Sequence, residues 1–173
     1  MTYSFEELME VFRNLTENTS ERTACIINAH PRIFVYGAGR SGLMLKALAM
    51  RLAQAGRVVY VVGETVTPAI GENDLLSLAS ASGNTASVCR YAKIAKDAGA
   101  DLLILTASLQ SELTGIAGTA DVYFRTPTKD DGINSASLMG TLFEQAVLLF
   151  CDQVILCLNE DAADMRKRHA NLE

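Results

Sequence analysis

The chain has 173 residues, 49% of them hydrophobic and 20% charged, which suits one globular domain (1–173) with a sizeable core and leaves little for a second. Its formal net charge is −5, which implies no broad cationic surface and argues against a dominant nucleic-acid role, while a local anion site stays open. Cys25, Cys89, Cys151 and Cys157 show no CxxC spacing. Buried thiols in a reducing compartment are expected, rather than a metal site or a disulfide framework.

Ser4 and Glu7 stand at capping-box spacing, and Phe5, Leu8, Met9, Phe12 and Leu15 follow with helical periodicity. The same stretch has no basic start followed by an apolar core, so no secretory leader is read and a cytoplasmic location is expected. A second helix is predicted from Ser20 to Ala29, ending near Pro31. RIFVYGAG then reads as a strand, RSGLMLKALAMRLAQAG as a helix stopped at Gly56, and RVVYVVG as a second strand. GENDLLSLAS supplies a turn and a third strand, Thr85 to Gly99 a helix, ADLLILTAS a fourth strand. A short helix from Ser111 to Ala117 leads to a fifth strand in DVYFRT. Residues 127–138 form the longest irregular connection and are placed to border a site.

The last long helix, Met139 to Asn159, is apolar on most of its circumference, with further helix continuing to residue 170. Such a helix must be buried nearly all round, either against another subunit, making a homo-oligomer, or as a central helix of its own chain. Glu144, Gln145, Asp152 and Gln153 interrupt residues 142–158, so no membrane span is read there. Strands that are unbroken apolar runs, alternating with helices, indicate an α/β fold: a three-layer, doubly wound, parallel five-stranded sheet of flavodoxin type. Ligands of such sheets sit beyond the carboxyl ends of the strands.

Two loops fall there. In LLSLASASGNTASV the apolar strand gives way to Ser80, Ser82, Gly83 and Thr85. Small residues let backbone N–H groups approach a ligand, hydroxyls add donors, and the start of the next helix favours an anion. This is a phosphate cradle, or else an ordinary Ser/Thr cap on a glycine turn. The other loop, VYGAGRSG, carries Gly37, Gly39, Arg40, Ser41 and Gly42. It also satisfies GxGxxG, and Glu64 falls where a ribose-binding acid would stand in a dinucleotide site. The hydroxyl-rich partner loop fits a phosphomonoester better than a nicotinamide cofactor.

GxGRSG after the first strand and SxSGxT after the third resemble the sugar isomerase (SIS) domain. AMRLAQAG, VVGETVTPAI, MGTLFEQ and RHANLE narrow the resemblance to the 6-phospho-3-hexuloisomerase family, with the motifs in the same order over nearly the whole chain. One departure stands out. The family tends to carry Gln-Pro before the MG pair, where this chain has Ser137 and Leu138.

The resemblance implies interconversion of D-arabino-hex-3-ulose 6-phosphate and fructose 6-phosphate through a 2,3-enediol, with no cofactor and no metal required, and a tetrameric assembly. It implies Glu144 as the carbon base, where desolvation beside an apolar helix strengthens a carboxylate as a base. Pattern alone leaves Glu144 open as part of a solvated stripe with Gln145 and Asp152. His169, of RHANLE, is the implied acid–base partner, since an imidazole both gives and takes a proton near neutral pH. Its place near residue 173 suits reach into a neighbouring subunit, and the alternative is a solvated histidine beside Arg166, Lys167 and Arg168. Ser41, Ser80, Ser82 and Thr85, with Gly39 and Gly83, are expected to hold phosphate. Arg40 and Arg51 are candidates for substrate oxygens, Arg51 alternatively for a surface salt bridge, and Thr65 and Thr67 are expected to shape the pocket. A non-catalytic sugar-phosphate regulator is the rival, although such a protein normally adds an effector domain for which this length leaves no room.

Overall fold

The run LLSLAS becomes a central strand with all six residues buried, and the sheet is organised around it. In a computed structural model, which describes residues 4–119, 121–127, 135, 137 and 139–172, the elements in chain order are α1 (Ser4–Arg13), α2 (Thr19–Ala29), β1 (Arg32–Gly37), α3 (Gly39–Gln54), β2 (Val58–Val61), β3 (Leu75–Ser80), α4 (Ala86–Asp97), β4 (Asp101–Thr106), α5 (Glu112–Ala117), β5 (Val122–Tyr123), α6 (Thr141–Cys157) and α7 (Ala162–Lys167). The five strands pair in the order β2-β1-β3-β4-β5, and every pairing is parallel. The predicted five-stranded α/β sheet is therefore present.

Side chains alternate between the two faces of β3, as strand geometry requires. Leu75 and Ala79 join a core with Leu45, Leu52, Phe143 and Phe150, which packs α2, α3 and α6 on one face. Leu76 and Leu78 join a second core with Phe34, Val88, Ala92 and Leu113, which packs α4 and α5 on the other. The chain runs outward from β1 to β2, then returns past β1 to start β3. The strand order thus reverses between β1 and β3, and their carboxyl ends open a crevice there.

The amino ends of the strands are closed by paired charges. Buried Asp74 accepts from Arg32 Nε at 2.7 Å and Nη2 at 2.6 Å, and from the Gly71 N–H at 2.7 Å. His30 Nε2 lies 2.9 Å from Asp101 Oδ2. Arg57 Nη2 donates to Glu160 Oε1 at 2.7 Å and to Asn28 Oδ1 at 2.8 Å.

Four details differ from the sequence expectations. Met139 takes a left-handed φ of 56°, so the late helix starts at Thr141 instead. It also ends early: Asn159 has φ 54°, and Asp161 caps a separate α7 by accepting from the Ala163 and Asp164 N–H groups. Nor is α6 buried all round within the chain. It packs on α1, α2 and α3, but Leu149 and Leu156 remain 45% and 70% exposed. Finally, Cys25 is exposed; Cys89 and Cys151 are buried as expected, and burial pushes the Cys151 thiol up to about 12. Among the described residues, no helix is long and apolar enough to cross a membrane.

Candidate active site

The crevice between β1 and β3 widens into a cavity of about 670 Å³. Gly39, Arg40 and Ser41 line it from the start of α3, Ser80 from the last position of β3, Ser82 and Thr85 from the loop that follows, and Glu144 from the first turn of α6. Local packing explains how α3 comes so close. A Cβ on Gly42 would overlap the carbonyl oxygen of Gly37, so the helix can sit against the end of β1 only because both positions are glycine.

The loop after β3 is braced from behind. Gly83 has φ +64°, and a side chain there would collide with Ser111. Its carbonyl accepts from the Leu113 N–H at 2.9 Å, while Asn84 Oδ1 accepts from the Glu112 N–H at 2.9 Å. Inside the loop, Ser80 Oγ accepts from the Gly83 N–H at 3.1 Å and pairs with Thr85 Oγ1 at 3.1 Å. Ser82 Oγ accepts from the Asn84 N–H at 3.3 Å, which leaves its own O–H to donate. Ser41 Oγ is bonded to none of the described residues.

Three helices begin at this cavity: α3, α4 and α6. None has a side-chain hydrogen bond from its N-cap residue; of the helices that start elsewhere, α5 and α7 are capped by Ser111 and Asp161, while α2 has no side-chain cap either. Uncapped first-turn N–H groups at converging positive helix ends suit an anion.

Glu144 is 14% exposed, and Oε2 accepts from Arg40 Nε at 2.5 Å. The expected burial is there, but the carboxylate is not alone among apolar neighbours, since a guanidinium from the first loop rests on it. Arg40, expected to bind substrate oxygens, is thus engaged by the predicted base. Among the described lining residues, Arg40 is the single cation and Glu144 the single anion.

Two expected site residues lie elsewhere. Arg51 is exposed near the far end of α3, with Nη1 donating to Gln54 Oε1 at 2.9 Å. His169 is exposed beside Arg168, whose Nη1 donates to the Gln54 carbonyl at 3.1 Å. Gln54 closes α3 and Gly39 opens it, which puts His169 roughly 20 Å from the cavity of its own chain at the usual helical rise. Thr65 and Thr67 do not line the cavity either. Thr67 Oγ1 donates to the Val61 carbonyl, and their segment borders a separate hollow of about 350 Å³ where Glu64 pairs with Lys46 at 3.1 Å. Glu64 is therefore an ion-pair partner at this point. Of the expected Ser137–Leu138 departure, Leu138 lies outside the described residues.

Pro127, Met139 and Thr141 also line the cavity. Pro127 opens the irregular connection that the sequence placed beside a site; Met139 and Thr141 belong to MGTLFEQ but have no polar pattern that marks them. No group of three or more His, Cys, Asp or Glu side chains stands together among the described residues.

A parallel sheet with a cavity at its reversal point, bordered by two glycine-bearing loops and the starts of three helices, is the architecture of a doubly wound α/β domain with its site at the carboxyl ends of the strands. The SIS domain matches residues 25–149, and the chain belongs to that family. A 3-hexulose-6-phosphate isomerase from Bacillus subtilis is 43% identical over 157 residues, spanning 86% of this chain and 83% of that one. Another, from Mycobacterium gastri, is 42% identical over 147 residues, spanning 82% and 74%. A crystal structure from Methanococcus jannaschii, described as inferring a molecular function of 3-hexulose-6-phosphate isomerase, superposes with a TM-score of 0.76 at 33% identity, covering 91% of this chain and 87% of that one. The chain is an isomerase.

Proposed function

We propose that this isomerase acts on sugar phosphates and interconverts D-arabino-hex-3-ulose 6-phosphate and fructose 6-phosphate. The observation that carries the reading is a single cavity in which Ser41, Ser80, Ser82 and Thr85 stand with the half-buried carboxylate of Glu144. The relatives named for this reaction, similar over most of their length, support it over a non-catalytic regulator.

The phosphoryl group rests on the hydroxyls and on the N-termini of α3 and α4, which carry donors and positive dipole ends and no acid in their first turns. Esterification of O6 denies the 3-keto sugar a five-membered ring, so it arrives open. Fixed at one end, it presents C2 to Glu144. The carboxylate removes the C2 proton, made acidic by the neighbouring C3 carbonyl; the electron pair forms the C2=C3 bond and O3 takes up a proton, giving a 2,3-enediol. Loss of the O2 proton and return of a proton from Glu144 to C3 then leave a carbonyl at C2 and a hydroxyl at C3. General acid–base groups positioned this way supply about 10²- to 10⁴-fold each.

A second proton carrier is needed at the oxygens and for opening the fructose 6-phosphate ring. His169 is the candidate, and in this reading, being far from the cavity of its own chain, it serves the cavity of a neighbouring subunit. The exposed Leu149 and Leu156 on α6 fit burial in such an assembly, for which a tetramer is the proposed form.

The test is a coupled assay that supplies hex-3-ulose 6-phosphate and detects fructose 6-phosphate. Turnover is expected; binding of the phosphosugar without turnover would leave the regulator reading standing. For His169, oligomers mixed from a His169→Ala subunit and a Glu144→Gln subunit are expected to regain activity that neither parent has. No rescue in verified mixed oligomers contradicts the shared site.

A further inference from the structure

Arg40 lines the cavity beside Ser41, yet its guanidinium is committed to Glu144. It is also the only cation among the described lining residues, so a phosphoryl group seated on the neighbouring hydroxyls and Glu144 both have a claim on it. We infer that the two compete: seating the substrate's phosphate draws Arg40 off Glu144 and releases the carboxylate for proton abstraction, so Arg40 ties the chemical step to a phosphorylated substrate. The inference rests on the proposed role of Glu144 as the base and deepens it.

Three features favour an exchange over a fixed pair. The Arg40 side chain is 61% exposed while that of Glu144 is 14% exposed, so the arginine is the partner with room to turn. A phosphomonoester carries about −1.5 to −2 charges at neutral pH against one on a carboxylate, and it can take two parallel N–H bonds from a guanidinium where Glu144 takes a single one from Arg40 Nε. Here Arg40 reaches Glu144 through Nε, which leaves its Nη groups available to begin a second contact before the first is lost. The consequence is selective. An unphosphorylated ketose enters a cavity whose base is still held by a cation; a phosphorylated one brings the group that displaces it, so remote binding free energy is expressed at the reacting carbon.

The experiment is a double-mutant cycle in binding, using inorganic phosphate as the probe and calorimetry as the readout, at about 0.15 M salt where long-range effects are screened. The four proteins are the wild type, Glu144→Gln, Arg40→Ala and the double variant, with Arg40→Met replacing Arg40→Ala if that variant misfolds. Competition predicts that Glu144→Gln tightens phosphate binding about tenfold when Arg40 is present and by less than about twofold when it is absent. Equal tightening in both backgrounds would mean that removing a negative charge is all that matters, and overturns the inference, as does no tightening in either. Failure of all four proteins to bind phosphate overturns the inference together with the phosphate cradle. Turnover of hex-3-ulose 6-phosphate by the wild type is measured separately, so failure of the isomerase reading is distinguished from failure of the competition.

Discussion

The two ends of the sheet treat polar groups in opposite ways. At the amino ends of the strands every named charge has a partner: Asp74 takes three hydrogen bonds, His30 meets Asp101, and Arg57 is shared between Glu160 and Asn28. At the carboxyl ends, three helices start uncapped, Ser41 is bonded to none of the described residues, Gly83 and Met139 hold left-handed backbones, and the single lining cation and anion share one bond. A polar group satisfied inside the fold contributes to stability, whereas one with spare capacity is available to a ligand. The floor thus satisfies its polar groups within the fold while the rim keeps spare capacity, and on the proposed function substitutions at the two ends should separate cleanly into stability and activity effects.

The largest effect is expected at the rim. Glu144→Gln keeps the shape and removes the proposed base, so kcat should fall by about 10³-fold while the melting temperature and phosphosugar binding persist; steady-state kinetics beside a thermal melt will show this. A Glu144→Gln enzyme with wild-type kcat would take the base away from this residue. At the floor, Asp74→Ala removes a buried acceptor that joins Arg32 to the turn before β3, and should cost roughly 3 kcal/mol of folding stability with KM and kcat preserved in the molecules that fold. Denaturant titration measures it; a matching rise in KM would erase the division between the two ends. The smallest change sharpens the comparison. Gly83→Ala strains the +64° backbone and pushes on Ser111, so KM for the phosphosugar should rise about tenfold, in line with strain of order 1–3 kcal/mol at such a site. An unchanged KM would mean that the loop's backbone does not seat the phosphate.

Much of the floor and sheet could be read from sequence because it is encoded locally. Short, mostly apolar runs such as LLSLAS and LLIL, bounded by turn residues and alternating with helical patterns, fit strands covered on both faces, and the helices between them end at Gly56 and Gly99, both found at positive φ. The two glycine-bearing loops were legible for the same reason, and the structure brings Ser41, Ser80, Ser82, Thr85 and Glu144 to one cavity. What escaped was set by topology or by single backbone angles. The Arg40–Glu144 pair spans 104 residues, and no local pattern announces it. Arg51 and His169 sit in promising motifs, yet the length of α3 carries both away from the cavity of their own chain. The start of α6 and its separation from α7 turned on the left-handed backbones of Met139 and Asn159, residues whose types do not demand that conformation.

Crystals grown with fructose 6-phosphate give the most direct reading of where phosphate and base meet. The account predicts the phosphoryl oxygens within hydrogen-bonding distance of Ser41, Ser82 and Thr85, with the Glu144 carboxylate beside C2 and C3 of the sugar. A phosphoryl group seated away from both loops, or a sugar whose C2 and C3 lie out of reach of Glu144, would contradict it.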